Sequence, residues 1–154
     1  MMHTADAPLA AGGRKVDRLL AHYGESHRHP TNELIHFAAI PAIMLSIVGL
    51  LFVLHPWVAY IFVAASLVYY ATLRSPAFLV AMLAGTALVL ALVHAMGSLV
   101  LPVSAAIFVV AWIFQFIGHK IEGRKPSFFE DIQYLWVGPL FVLSKLFLRL
   151  GIRW

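Results

Sequence analysis

The sequence contains no cysteine, which excludes disulfides and any metal site built on thiolates. Charge is also scarce. Only 12% of the 154 residues are Asp, Glu, Lys or Arg, about half of the ~25% found in soluble domains. Residues 1–13, ending at Gly12-Gly13, lack the apolar core of a signal peptide and are expected to form a disordered tail. What remains is apolar: 62% hydrophobic, with a mean hydropathy of +0.87. Apolar runs near 20 residues mark membrane helices, and residues 14–154 are expected to form one membrane domain with no room for a soluble one. The net charge of +4 is no sign of nucleic acid, because basic residues collect at the ends of spans for topological reasons.

In residues 14–23, Val16, Leu19, Leu20 and Tyr23 share a helical face, with Arg14, Lys15, Asp17 and Arg18 opposite. This pattern predicts an amphipathic helix at the membrane surface, stopped at Gly24. A polar loop follows, Glu25 to His29, and Pro30 suits the first turn of the next helix, with Asn32 as another candidate cap. Four spans are predicted, at about 34–54, 57–73, 77–96 and 99–118. They are separated by His55-Pro56, Arg74-Ser75-Pro76 and Gly97-Ser98, and Pro41 is expected to kink the first. The third carries Ala77, Ala81 and Gly85, and Ala87, Ala91 and Ala95, a spacing that lets helices approach closely in lipid. Ser127-x-x-Glu130 has the pattern of a capping box, which predicts a helix from Phe128. Gly138-Pro139 should interrupt it. Residues 128–150 are therefore read as two interfacial or re-entrant helices.

Four spans place every basic segment on one side: Arg14, Lys15, Arg18 and Arg28; Arg74; and Lys120, Arg124 and Lys125. The positive-inside rule makes that side, and the N-terminus, cytoplasmic. His22, His27, His29, His36 and His119 then lie near this face, brought from segments far apart in the chain. His55 and His94 belong to the other face, and His3 to the tail. Neutral imidazole is a common metal ligand, and histidines without cysteine suit iron(II), zinc, copper or nickel. The plain alternative is that polar residues gather at membrane interfaces anyway. His36 argues against it, since it begins an apolar run and would be costly there if unpaired.

Asn32 and His36 share a helix face, as do Gln115 and His119. Each amide is a candidate positioning group beside a ligand, with helix capping (Asn32) or an interhelical hydrogen bond (Gln115) as the structural alternative. Glu122 could add a carboxylate, or simply pair with Arg124 or Lys125. Arg28, Lys120, Arg124 and Lys125 could hold an acidic headgroup, or serve topology alone. His94 with Trp57 or His55 is a weaker second grouping.

Two blocks carry a resemblance. One is Tyr23-x-x-x-His27-Arg28-His29-Pro30-x-Asn32-x-x-x-His36, followed by Pro41; the other is Trp112-x-x-Gln115-Phe116-Ile117-Gly118-His119, followed by Glu122 and Pro126. Together they resemble the Mpo-like family of small integral membrane proteins, over roughly residues 14–150. The resemblance implies an iron(II)-dependent dioxygenase of 2-hydroxy fatty acids. Fe(II) would be held by His27, His36 and His119, with His22, His29 or Glu122 as a further ligand. Asn32 and Gln115 would serve as catalytic positioning groups, and Arg28, Lys120 and Arg124 would meet the lipid head. It implies dioxygen as co-substrate, cleavage between C1 and C2, and a product one carbon shorter. The host would be the inner membrane of a bacterium or the endoplasmic reticulum of a eukaryote, and a homo-oligomer is left open. Competing readings are a di-iron hydroxylase or desaturase, a zinc lipid hydrolase, and a non-enzymatic scaffold or lipid-binding protein. A haem protein ranks last, because only His94 lies near a position for a second axial histidine.

Overall fold

A computed structural model describes residues 13–154, so the expected tail lies, apart from Gly13, outside the described residues. Six α-helices follow one another: α1 (Lys15–Gly24), α2 (Pro30–Leu54), α3 (Pro56–Thr72), α4 (Pro76–Ala95), α5 (Val100–Glu122) and α6 (Tyr134–Leu150). Short 3-10 turns occupy Gly97–Leu99 and Ser127–Phe129. Among the described residues there is no strand.

Local chemistry sets the starts. Three helices begin on proline, Pro30, Pro56 and Pro76, where the fixed φ is already helical and the missing N–H has no partner to lose. Two of these starts are capped by histidine. His29 Nδ1 accepts the Thr31 N–H at 3.2 Å, and His55 Nδ1 accepts that of Trp57 at 3.3 Å. The cap of α2 is thus His29, not Asn32, and the helix begins four residues before the predicted span. Gly123, at φ 73°, closes α5 in the left-handed conformation that glycine tolerates.

Helices α2, α4 and, with the preceding turn, α5 are long and apolar enough to cross a membrane. Helix α3 is apolar but has 17 residues. The outer surface is itself apolar: Ile61, Val68, Val80 and Leu88 are each more than 60% exposed. So extended an apolar exterior marks a surface that meets lipid or a partner.

Helices α2 and α5 form the principal pair of the bundle, and two points show how close they come. A Cβ on Gly49 would lie 2.0 Å from Ser104 Oγ, and one on Gly118 would lie 2.3 Å from Asn32 Oδ1. Of the small residues expected to draw helices together on α4, Ala77 and Ala81 pack against the main core cluster, but the rest do not. A Cβ on Gly85 would meet nothing within 4 Å, and Ala87 and Ala91 are exposed. Spacing identified a shared face at Ala87, Ala91 and Ala95, but that face points outward.

The two terminal helices differ most from expectation. The predicted face of α1 (Val16, Leu19, Leu20 and Tyr23) is buried, but against α6 and within a cluster that includes Val137, Leu140 and Phe141. The helix therefore packs on protein rather than lying on lipid with that face. The capping box does not form: the Ser127 hydroxyl pairs with Ser26 Oγ at 2.7 Å, and residues 127–129 make only a 3-10 turn. From Tyr134 there is one helix, not two, and it contains Pro139. Being in the second turn, Pro139 leaves only the Leu135 carbonyl without its helical donor.

Candidate metal centre

The site lies where the loop before α2, the first turns of α2 and the last turns of α5 meet. One ring nitrogen from each of His27, His36 and His119 falls within 4.8 Å of the other two. All three side chains are buried, His36 completely. The rings meet edge to face, with centroids 4.3 Å apart for His27 and His36, 4.8 Å for His36 and His119, and 4.9 Å for His27 and His119.

Hydrogen bonds fix where the ring protons sit. His36 Nδ1 lies 2.8 Å from the Asn32 carbonyl, and His27 Nδ1 lies 2.7 Å from the Tyr23 carbonyl. A carbonyl only accepts, so each Nδ1 carries the proton and each Nε2 is left with a free lone pair. His36 Nε2 faces His119 Nε2 at 3.2 Å. His27 Nε2 and His119 Nδ1 are buried without a hydrogen-bond partner. Outside the spans, burial, reinforced by His36, pushes the His27 imidazole down to about 3, so it is neutral at ordinary pH. The bare His27 Nε2 and the facing Nε2 atoms of His36 and His119 are what a cation would satisfy. Two nitrogens bound side by side to one ion at about 2.0–2.1 Å stand about 3 Å apart, close to the spacing of the His36–His119 pair. Ligand histidines commonly give their other N–H to a carbonyl, as His27 and His36 do. The residues fit a metal, and the all-imidazole set suits iron(II) or zinc better than a soft ion.

The remaining candidates are placed elsewhere. His22 is exposed and pairs with Glu130 at 3.0 Å. His29 is the helix cap. Glu122 clamps the loop: its Oε1 accepts the Arg28 N–H at 2.9 Å, and its Oε2 accepts the His29 N–H at 2.8 Å and Asn32 Nδ2 at 3.1 Å. Asn32 also donates to the Ser26 carbonyl at 3.1 Å, tying the loop to α2. Gln115 is buried one turn before His119, and both line a cavity within the bundle. Arg28, Lys120 and Arg124 are exposed at this end of the bundle. On the far side, His94 accepts from the Tyr60 hydroxyl at 3.0 Å rather than joining Trp57 or His55.

Several contributors were not nominated as ligands or positioning groups from the sequence. Tyr23 stacks on His27 with centroids 4.1 Å apart and an interplanar angle of 6°. Ser26 Oγ lies 3.1 Å from His27 Nδ1. Trp112 lines the same cavity, and its indole N–H is buried without an acceptor. Tyr23 and Trp112 both begin the quoted blocks, which was the available signal. Ser26 offered none, because its role depends on Ser127, a hundred positions away.

Fold and site together define a small all-helical protein of membrane character with a buried three-histidine centre. The chain belongs to the family described as 2-hydroxy-palmitic acid dioxygenase Mpo1-like, whose model matches residues 14–150. A curated relative is the 2-hydroxy-palmitic acid dioxygenase MPO1 of Saccharomyces cerevisiae. It is 30% identical over 138 residues, covering 86% of this chain and 79% of the relative. No solved structure matches.

Proposed function

We propose that this chain is an Fe(II)-dependent membrane dioxygenase of 2-hydroxy fatty acids. The observation that carries the proposal is the buried meeting of His27, His36 and His119 in a chain whose family is named for that reaction. The three histidines would hold the metal, and bound Fe(II) would supply the redox chemistry that activates dioxygen. One dioxygen and one 2-hydroxy acid balance to an acid one carbon shorter, carbon dioxide and water.

The protein's own groups do the rest. Tyr23 and Asn32 orient two of the rings through their carbonyls. Glu122 and Asn32 hold the His27 loop against α2 and α5. Gln115 and the Trp112 indole, on the cavity side of α5 with His119, offer donors to a carboxylate and its neighbouring hydroxyl. The Arg28, Lys120 and Arg124 cations would draw the anionic head to this end of the bundle. Four spans complete the reading. At 17 residues, α3 rises about 26 Å, at the short end of what spans a bilayer. The loops that carry the basic residues, and with them the histidine centre, would then face the cytoplasm.

The test is turnover. Anaerobically purified, iron-loaded protein given 2-hydroxypalmitate and dioxygen should form the acid one carbon shorter, with one dioxygen consumed per acid. Inert 2-hydroxypalmitate with bound zinc and cleavage of an ester lipid without oxygen uptake would favour a zinc hydrolase, and two irons per chain a di-iron enzyme.

A further inference from the structure

The cavity that His119 and Gln115 line has a volume of about 250 Å³, larger than the roughly 150 Å³ of an apolar cavity able to hold a benzene-sized guest. Its polar groups are uneven. His119, Gln115 and Ser127 stand at the end nearest the histidine centre, Ser66 and Thr86 line the walls from α3 and α4, and Ile47, Val48, Val63 and Val89 line the deep end. On α2 the lining reaches Val48. That is twelve residues beyond His36, or about 18 Å of helix, a little more than half of a ~30 Å hydrocarbon core and so about the depth of one acyl chain. Apolar packing backs the deep end. Val63 and Val89, which line it, also pack against a second apolar cluster formed by Val48, Ala59, Val93 and Val100.

We propose that this cavity measures the substrate's acyl chain, with Val48, Val63 and Val89 setting the longest chain accepted. The proposal rests on the lipid-acid reading above and extends it to chain-length selection. The head lies among Gln115, Trp112 and His119, and the tail runs down between α2, α3 and α4 until it meets Val48, Val63 and Val89. Close-packed interiors do not yield to an added methylene, and one methylene in an apolar pocket changes selection by roughly tenfold or more. Acids too long for the cavity must therefore bind with the head displaced from the histidines.

The experiment uses the full chain, iron-loaded, in nanodiscs, with Val63→Phe, Val89→Phe and the enlarging variant Val89→Ala. Two profiles are measured. One is kcat/KM for saturated 2-hydroxy acids from 2-hydroxydecanoate to 2-hydroxyoctadecanoate. The other is displacement of a fluorescent fatty acid by the corresponding unhydroxylated acids, which needs no turnover. The filling variants should lower the ratio of long-chain to short-chain preference at least tenfold in both profiles, and Val89→Ala should raise it. Unmoved profiles in filling and enlarging variants that melt as the wild type does would overturn the proposal. If 2-hydroxy acids are oxidised but neither profile moves, chain measurement fails while the dioxygenase reading stands. If no 2-hydroxy acid is oxidised yet the displacement profile moves, the cavity measures acyl chains and the assigned reaction is what fails.

Discussion

At the scale of single residues, the centre is shaped by where protons and carbonyls sit. His27 and His36 each surrender Nδ1–H to a carbonyl four residues earlier, which turns a bare Nε2 inward. Glu122, flagged from the sequence as a fourth ligand, instead fixes the backbone of the loop that carries His27. Its replacement by Gln leaves one acceptor oxygen where three donors now converge. Positioning groups of this kind typically contribute 10–100-fold to metal affinity, and Glu122→Gln should lose iron affinity by about that factor in a chelator competition. Unchanged affinity would show the clamp to be incidental. His27 also predicts a pH effect on the metal-free protein. In the unfolded chain it takes a proton near 6.5, but in the folded protein only at about 3. The unfolded state thus binds more protons between these values, so this stability is fully present above about 6.5 and is lost as the pH falls toward 3. Melting in detergent should show a steeper loss on acidification for the wild type than for His27→Asn, and parallel losses would contradict the assignment.

At the scale of elements, the site depends on how closely α2 and α5 approach. Gly118 lets the backbone of α5 lie against the Asn32 amide, and Gly49 does the same for Ser104. Overpacking of this kind costs about 1–3 kcal/mol. Gly49→Ala should lower the melting temperature and leave iron stoichiometry intact, because its clash lies far from the histidines. Gly118→Ala should lower both, since it displaces the residue whose carbonyl orients His36. Equal effects of the two on bound iron would argue against this division.

Much of this scale was legible in the sequence. The apolar face of α1, the Pro30 start of α2 and the spacing that aligns Gln115 with His119 are local features, and local patterns carry them. What was not legible depended on partners distant in sequence. Ser127 looked like a helix cap because its long-range partner Ser26 is invisible to a local pattern. The stripe of Ala87, Ala91 and Ala95 on α4 looked like a contact face because periodicity does not say which way a face is turned. His29 was nominated as a ligand because a histidine serving as a helix cap has no signature of its own.

At the scale of the whole molecule, the reading is of a bundle that carries its polar centre at one membrane face. The absence of cysteine makes that topology directly testable. Single cysteines placed at Arg28 or Lys125 should react with a membrane-impermeant thiol reagent from the cytoplasmic side, and those placed at His55 or Ser98 from the opposite side. Labelling of all four from one side would show that neither α2 nor α5 crosses the membrane. The convergence of His27 and His36 with His119 fits the proposed topology, since four spans would return the end of α5 to the face where α2 begins. The central claim is that these three side chains bind one iron, and the most direct measurement is the iron content of anaerobically purified protein beside His36→Ala and His119→Ala variants shown to be folded. The account predicts one iron per chain in the wild type and loss of bound iron in both variants; iron retained in the folded variants would contradict it.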